Sequence, residues 1–162
     1  SGGICLIVGD ELWFYYSGWD QVHVNKGNPW DPVYPKAAVG LARIRLDGFC
    51  SMRAGKKEGW MISRREVFNT PRVEINAACA PGGHVTAELV DRNNAVIRGF
   101  EKNNCIPFTG DSTRGELSWK TKEFPPEYID KDKKVKFYLK KANLYSYLPA
   151  GINQTIDDGW PD

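Results

Sequence analysis

Hydrophobic and polar residues alternate along most of this chain with the two-residue period of β-strands, and helical periodicity is almost absent. In KVKFYLK, residues 134–140, the apolar side chains fall on one face and the lysines on the other. Ten segments have a strand-like pattern: 4–8, 11–16, 38–46, 48–53, 59–64, 72–79, 84–91, 94–98, 115–120 and 133–148. Only residues 125–132 favour a short helical turn.

Turn-forming residues separate these segments, as in Pro81-Gly82-Gly83 and in DRNN at 91–94. Short strands joined by polar turns are typical of an antiparallel β-sandwich. The sequence therefore predicts an all-β fold, a sandwich of the concanavalin-like or jelly-roll type with about ten strands. Because Leu117 and Trp119 share one face of their strand, we expect Trp119 to lie in the core.

The chain is predicted to have two parts. Residues 19–37 carry Pro29, Pro32 and Pro35, which cannot occupy a central strand. Residues 1–37 are therefore expected to form an N-terminal hairpin and a proline-rich loop, and residues 38–162 the sandwich. The start, SGGICLIVGD, lacks the basic region of a signal peptide, so we expect a mature chain or a piece of a longer one.

Composition and charge exclude several classes of protein. The 162 residues are 41% hydrophobic, which suits a folded domain with a full core. The net charge of +2 is too small to indicate a nucleic-acid partner, and no apolar run approaches the roughly 20 residues that span a bilayer. The charged run at 131–141 is expected to be a solvated strand face.

The number and spacing of the cysteines do not determine whether their thiols are free or form a disulfide bridge. The four cysteines, at 5, 50, 79 and 105, form neither a CxxC motif nor a Cys/His cluster, which argues against structural zinc. Free thiols and one long-range disulfide bridge both remain compatible with this spacing.

No arrangement of residues predicts catalysis. The aspartates at turns form no recognisable pair, and turn formation through their own backbone explains each of them. His23 and His84 are the only histidines, and there is no G-x-S-x-G motif or phosphate-binding glycine loop. We therefore expect a binding protein without catalytic residues.

The aromatic and basic residues favour a carbohydrate ligand. Aromatic rings stack on the apolar faces of pyranoses, while basic side chains form charge-assisted hydrogen bonds to sulfate or uronate groups. The candidate carbohydrate-binding residues are Trp30, Arg43, Arg45, Trp60, Lys136 and Tyr138.

The polar segment at 98–120 is predicted to connect two sandwich strands, with Asp111 closing its turn. The alternative for Asp111 is a Ca²⁺ site completed by backbone carbonyls, since Ca²⁺ takes six to eight oxygen ligands. No other cofactor is expected.

Four segments in a fixed order carry a family resemblance: GGICLIVGDELWFYYSG, VGLARIRLDGFCSMRAG, AELVDRNNAVIRGFEKNNCIPFTGDSTRGELSWK and VKFYLKKANLYSY. Over residues 2–148 the chain resembles the C-terminal portion of bacterial proteins similar to glycoside hydrolase family 32. Those proteins resemble a five-bladed β-propeller followed by a β-sandwich.

The resemblance implies an accessory domain. The family's catalytic carboxylates lie in the propeller, and no stretch here matches their motifs. The expectation is thus a non-catalytic carbohydrate-binding sandwich of a secreted or periplasmic polysaccharide-degrading enzyme. Its partners would be a polysaccharide or oligosaccharide and a catalytic propeller domain, with neither nucleic acid nor membrane.

Two alternatives stay open. One is a structural sandwich that only braces a catalytic propeller, which predicts a large exposed apolar patch. The other is a polysaccharide hydrolase or lyase built on the sandwich itself, for which Tyr138 and His84 are the candidate pair.

Overall fold

The computed structural model describes residues 5–19 and 37–151. These residues form ten strands, two short 3-10 turns and no α-helix, which confirms the predicted all-β, antiparallel sandwich class. The strands are β1 (Leu6–Val8), β2 (Glu11–Trp19), β3 (Ala37–Arg45), β4 (Met52–Ala54), β5 (Gly59–Ile62), β6 (Glu66–Val67), β7 (Arg72–Asp91), β8 (Cys105–Ile106), β9 (Asp111–Trp119) and β10 (Asp132–Pro149). Within these two ranges, no helix is long and apolar enough to cross a membrane.

The N-terminal unit, Ser1–Phe49, contains a three-stranded antiparallel sheet in the order β1-β2-β3. β2 pairs with β3 along its whole length, from Glu11 opposite Arg45 to Trp19 opposite Ala37. This pairing places β3 in the N-terminal unit, so the two compact units divide after Phe49, whereas the sequence predicts a division after residue 37.

The C-terminal unit, Cys50–Asp162, contains a seven-stranded sheet in the order β4-β10-β7-β9-β8, with β5 and β6 also paired to β10. β7 and β10 are its two long central strands, and they pair from Lys133 opposite Asp91 to Pro149 opposite Val73. Their register shifts between Lys140, which lies opposite His84, and Ala142, which lies opposite Cys79. Residues 80–83 of β7 have no partner on β10 at this point. Both halves of each strand contribute to one buried cluster, so the sheet bends at this irregularity and encloses its own core.

The core consists of the apolar faces that the alternation predicts. The buried hydrophobic residues of the long strands and β9 are Val73, Ile75, Ala77, Val85, Ala87, Leu89, Val90, Leu117, Trp119, Val135, Phe137, Leu139, Ala142 and Leu144. Trp119 is fully buried and its ring lies 5.9 Å from that of Phe100, which confirms its predicted place in the core. The 3-10 turn Pro126–Tyr128 lies where the sequence predicts a helical turn.

One predicted strand is wrong. Residues 94–98 form a turn with a single β-bridge, between Val90 and Val96. The carboxylate of Asp91 accepts hydrogen bonds from the backbone N–H groups of Asn93 and Ala95, both at 2.8 Å. These bonds satisfy backbone donors that a strand would have paired across a ladder.

The charged run at 131–141 is not a uniformly solvated face, because Lys133 is fully buried. Its ammonium group donates hydrogen bonds to the carbonyl oxygens of Tyr128 and Lys131, at 2.6 and 2.7 Å, and lies 4.6 Å from the Phe124 ring centroid. Burial lowers the pKa of Lys133, against the raising effects of Asp130 and Asp132. The carbonyl oxygens and the ring stabilise a cation on the apolar side of β10.

Gly83 lies at the bend in β7, and we expect that no larger residue can replace it there without loss of stability. A Cβ on Gly83 would lie 2.4 Å from the carbonyl oxygen of Lys141 and 2.8 Å from that of Lys140. Because both obstacles are backbone atoms, Gly83→Ala is expected to lower the free energy of unfolding by about 2 kcal/mol or more, measured by urea denaturation. A Cβ on Gly55 would meet no atom within 4 Å, so Gly55→Ala serves as the control. Equal losses for the two variants would contradict this account of the bend.

Candidate functional site

The outward face of three neighbouring strands in the C-terminal unit brings together three of the predicted carbohydrate-binding residues. Tyr138 of β10 lies opposite Trp60 of β5 on one side and Thr86 of β7 on the other. Lys136, two residues before Tyr138 on the same face, lies opposite Glu88. We call the surface formed by Trp60, Thr86, Glu88, Lys136 and Tyr138 the Trp60 face.

Trp60 is the most exposed aromatic side chain of this face, with 66% of its surface accessible. The ammonium group of Lys136 lies 5.2 Å from the Trp60 ring centroid and 5.3 Å from that of Tyr138, distances at which a cation is attracted by the ring electrons. The position on a paired strand, together with this contact, holds a large indole ring at the surface.

Glu88 organises the polar part of the Trp60 face. Its carboxylate is nearly buried and accepts hydrogen bonds from the Tyr138 hydroxyl at 2.7 Å and from the Lys136 ammonium group at 2.9 Å. The hydrogen bond with Tyr138, and after it the one with Glu88, raises the pKa of Lys136. Burial is the main cause that raises the pKa of Tyr138. At neutral pH the face therefore presents a charged lysine and a neutral tyrosine in fixed positions.

A second carboxylate, Glu58, extends this surface. Its oxygens lie 2.5 Å from the Lys102 ammonium group and 3.6 Å from the His84 imidazole. Lys102 also lies 4.3 Å from the Tyr138 ring centroid, which joins the two groups of polar residues. The hydrogen bond from Lys102 is the largest cause that lowers the pKa of Glu58, so this carboxyl group stays ionised at neutral pH.

The candidate catalytic pair, Tyr138 and His84, lies on the outward face of β10 and β7. Tyr138 donates its hydroxyl hydrogen to Glu88, whereas His84 is the neighbour of Glu58. To act as a general acid near neutral pH, the carboxyl group of Glu58 would need a pKa raised towards 7, and its pKa is lowered. Each member of the pair thus lies beside a carboxylate of its own, Glu88 for Tyr138 and Glu58 for His84.

The other predicted residues lie elsewhere in the chain. Arg43 belongs to β3 of the N-terminal unit, where its guanidinium group lies 3.6 Å from Glu11 and 5.9 Å from the Trp13 ring centroid. Arg45 lies on the same strand and has interactions of its own. Trp30 lies outside the described residues. The Trp60 face thus contains Trp60, Lys136 and Tyr138 of the predicted set.

Asp111 is exposed at the first position of β9, opposite Ala78. Its charge contributes to raising the pKa of the Cys79 thiol, although burial contributes more. Across residues 5–19 and 37–151, no group of three or more His, Cys, Asp or Glu side chains is placed to hold a metal ion. The Ca²⁺ site at Asp111 stays a prediction.

Sequence reasoning missed Glu58, Glu88 and Lys102. The outward position of Glu88 could have been predicted from the sequence. Glu88 lies between Ala87 and Leu89, which point into the core, so its side chain points to the opposite face. Lys102 precedes β8 in a 3-10 turn, Lys102–Asn104, and no periodic pattern places such a residue against Tyr138.

The thiols differ in environment, and all four are free. Cys105 is buried, which raises the pKa of its thiol to about 11, whereas Cys50 is exposed. We expect a water-soluble disulfide reagent at pH 8 to modify Cys50 in the native protein and Cys105 only after unfolding.

The raised pKa of the Cys105 thiol favours the folded state fully below pH 9 and progressively less up to about pH 11. Alkaline conditions should therefore expose Cys105 to the reagent. A rapid reaction that survives Cys50→Ser and disappears in Cys105→Ala would contradict this assignment.

Comparison with known proteins gives no relative for this geometry. No protein-family model matches the chain, and no curated protein or solved structure matches it. The resemblance to proteins similar to glycoside hydrolase family 32 therefore stays a prediction from the sequence.

Proposed function

We propose that the C-terminal unit is a non-catalytic carbohydrate-binding module that binds a polysaccharide or oligosaccharide, with a preference for anionic glycans, on the Trp60 face. The observation that carries the proposal is the 66% exposed ring of Trp60, held on a paired strand beside ordered hydrogen-bonding groups. A large exposed aromatic ring among oriented polar side chains is a recurrent arrangement at binding surfaces.

The chemistry of the Trp60 face suits a sugar. The indole offers a flat apolar surface for the C–H groups of a pyranose ring, and the neighbouring groups of Glu88, Lys136 and Tyr138 can bond to hydroxyls. Because Glu88 already fixes the positions of Lys136 and Tyr138, a ligand would order few additional side chains on binding. Lys102 and Lys136 are each paired with a carboxylate, so the preference for an anionic ligand depends on the further charge-assisted hydrogen bonds that their ammonium groups can donate.

The protein is proposed to belong to a secreted or periplasmic glycoside hydrolase, in which a catalytic β-propeller domain supplies the chemistry. The lowered pKa of Glu58 and the raised pKa of Tyr138 support a binding role, since neither group is poised to exchange a proton near neutral pH.

A panel of neutral and anionic polysaccharides in affinity gel electrophoresis tests this function. Retardation by at least one polysaccharide, without release of reducing or unsaturated ends on prolonged incubation, is the expected result. Release of such ends would instead support the hydrolase or lyase alternative. Unretarded migration on every polymer, neutral, uronate-rich and sulfated, would count against carbohydrate binding.

A structural role for the N-terminal unit is the second candidate, and one observation favours it. The sheet β1-β2-β3 exposes several large apolar side chains: Leu6, Ile7, Val8, Tyr15, Tyr16, Val39 and Leu41. By strand register, Leu6, Val8, Tyr15, Val39 and Leu41 share one face of this sheet, and we propose that this face braces the catalytic propeller domain, because contiguous exposed apolar surface marks interaction sites. Replacing Leu6 and Val39 (50% and 78% exposed) by serine should leave glycan retardation unchanged and weaken any stable complex with a propeller partner.

A further inference from the structure

Beside the Trp60 face, the C-terminal unit contains a pocket that the proposed function does not use. Its lining residues are Thr86, Lys102, Asn103, Cys105, Ile106, Pro107 and Lys120. Thr86 belongs to both surfaces, because it lies opposite Tyr138 and also lines the pocket. The pocket therefore continues the outward face beyond β7, on the side away from Trp60.

The pocket is electrically unbalanced. Two lysines line it, and none of the described residues that line it is acidic. The charge of Lys102 is offset by Glu58 at 2.5 Å, whereas no ion pair to the exposed Lys120 is found within residues 5–19 and 37–151. Among the described residues, the pocket thus has one cation, Lys120, whose charge no carboxylate offsets, and an anion would meet favourable electrostatics there.

Thr86 adds an independent observation. The residue is only 5% exposed, and its hydroxyl oxygen finds no hydrogen-bond partner among the described residues. A buried hydroxyl without a partner costs about 1–3 kcal/mol, and a ligand oxygen that reached it through a side-chain movement in the pocket lining would remove that cost. With Asn103 and the two lysines, Thr86 completes a set of four side chains that can each donate a hydrogen bond.

We infer that this pocket binds the carboxylate or sulfate group of the glycan whose sugar ring stacks on Trp60. The inference rests on the proposed function for the identity of the glycan. Trp60, Tyr138 and Thr86 lie in register on three neighbouring strands, so the indole and the pocket are separated by about two strand spacings, or about 10 Å. That separation matches a disaccharide unit, which places the anionic substituent one or two sugar residues from the stacked ring.

The pocket is tested first with inorganic sulfate, independently of any glycan. In a ¹H–¹⁵N NMR titration at constant ionic strength, sulfate should produce saturable shifts at the amides of Thr86 and Asn103, and chloride should not. Lys120→Gln should weaken the sulfate effect about tenfold, since it removes a charge-assisted hydrogen bond. Lys131→Gln removes an equal charge from another exposed lysine and should change the affinity by less than about twofold.

A second variant separates binding from folding. Thr86→Val keeps the shape of the side chain and removes the hydroxyl, so it should weaken sulfate binding by about fivefold while raising the urea midpoint of unfolding. A lowered midpoint would show that the hydroxyl has a partner in the free protein and would remove this support. Shifts that do not saturate, or that survive unchanged in Lys120→Gln, would overturn the anion site.

Matched glycans then connect the pocket to the Trp60 face. The probes are oligogalacturonate with its methyl ester, and chondroitin sulfate with its desulfated form. Tighter binding of the charged member of a pair, lost in Lys120→Gln and kept in Lys131→Gln, is expected. Equal binding of both members would overturn the inference and the preference for anionic glycans, and would leave carbohydrate binding on the Trp60 face intact. Saturable sulfate shifts without binding of any glycan would refute the proposed function and the glycan assignment, and would retain only an anion site.

Discussion

Replacing Trp119 by alanine is expected to lower the free energy of unfolding by about 4 kcal/mol. Trp119 is fully buried at the end of β9, and its ring packs edge to face against Phe100, which in turn lies 4.8 Å from Phe124. Alanine would leave a cavity beside the Phe100 ring, on a strand whose position is held by its pairing with β7 and β8. The measurement is the urea midpoint followed by circular dichroism.

Trp119→Phe should be far less harmful. The indole N–H of Trp119 is buried and finds no partner among the described residues, so phenylalanine removes a polar group that costs stability while it keeps most of the aromatic volume. We expect a loss under about 2 kcal/mol. A Trp119→Ala variant no less stable than Trp60→Ala, in which the lost ring is mostly exposed, would contradict the assigned core.

Replacing Trp60 by alanine is expected to weaken glycan binding by about thirtyfold, or about 2 kcal/mol, with little effect on folding. The reason is the 66% exposure of the ring, which leaves most of its surface available to a ligand and little of it in the core. The measurement is isothermal titration with the glycan that the retardation panel identifies, and the urea midpoint checks the fold.

Two further variants test whether the loss of affinity in Trp60→Ala comes from the aromatic ring at this position. Trp60→Phe keeps an aromatic face and should retain part of the affinity, because stacking needs a ring more than it needs the indole N–H. Ile129→Ala removes an apolar side chain of the same unit that is 46% exposed, and it should bind glycan as the unchanged protein does. Equal losses in Trp60→Ala and Ile129→Ala would show that the effect is not local to the Trp60 face.

Alternation along the chain was sufficient to predict which side of each long strand is buried. Val135, Phe137 and Leu139 are inside, and Lys136 and Tyr138 are outside, because successive side chains of a strand point to opposite faces. The same rule fails at 94–98, where the side chain of Asp91 bonds to the backbone and makes a turn from residues that could have formed a strand.

The set of residues that meet in the candidate site was harder to predict than the buried and exposed faces of each strand. Local alternation of hydrophobic and polar residues does not determine which strands are neighbours in the sheet. Trp60 and Glu88 come near Lys136 only because β5 and β7 pair with opposite edges of β10. Arg43 has the same outward pattern as Lys136, yet its strand pairs with β2 in the N-terminal unit. Lys133 is buried because carbonyl oxygens from a neighbouring turn receive its ammonium group, and a charge pattern cannot reveal such partners.

A ¹H–¹⁵N NMR titration of the protein with its retained glycan shows which residues form the binding surface. Binding on the Trp60 face predicts the largest shifts at the Trp60 indole N–H and at the amides of Thr86, Glu88, Lys136 and Tyr138. The N-terminal sheet β1-β2-β3 should then stay unshifted. Saturable shifts confined to that sheet, with the Trp60 indole unchanged, would contradict the account.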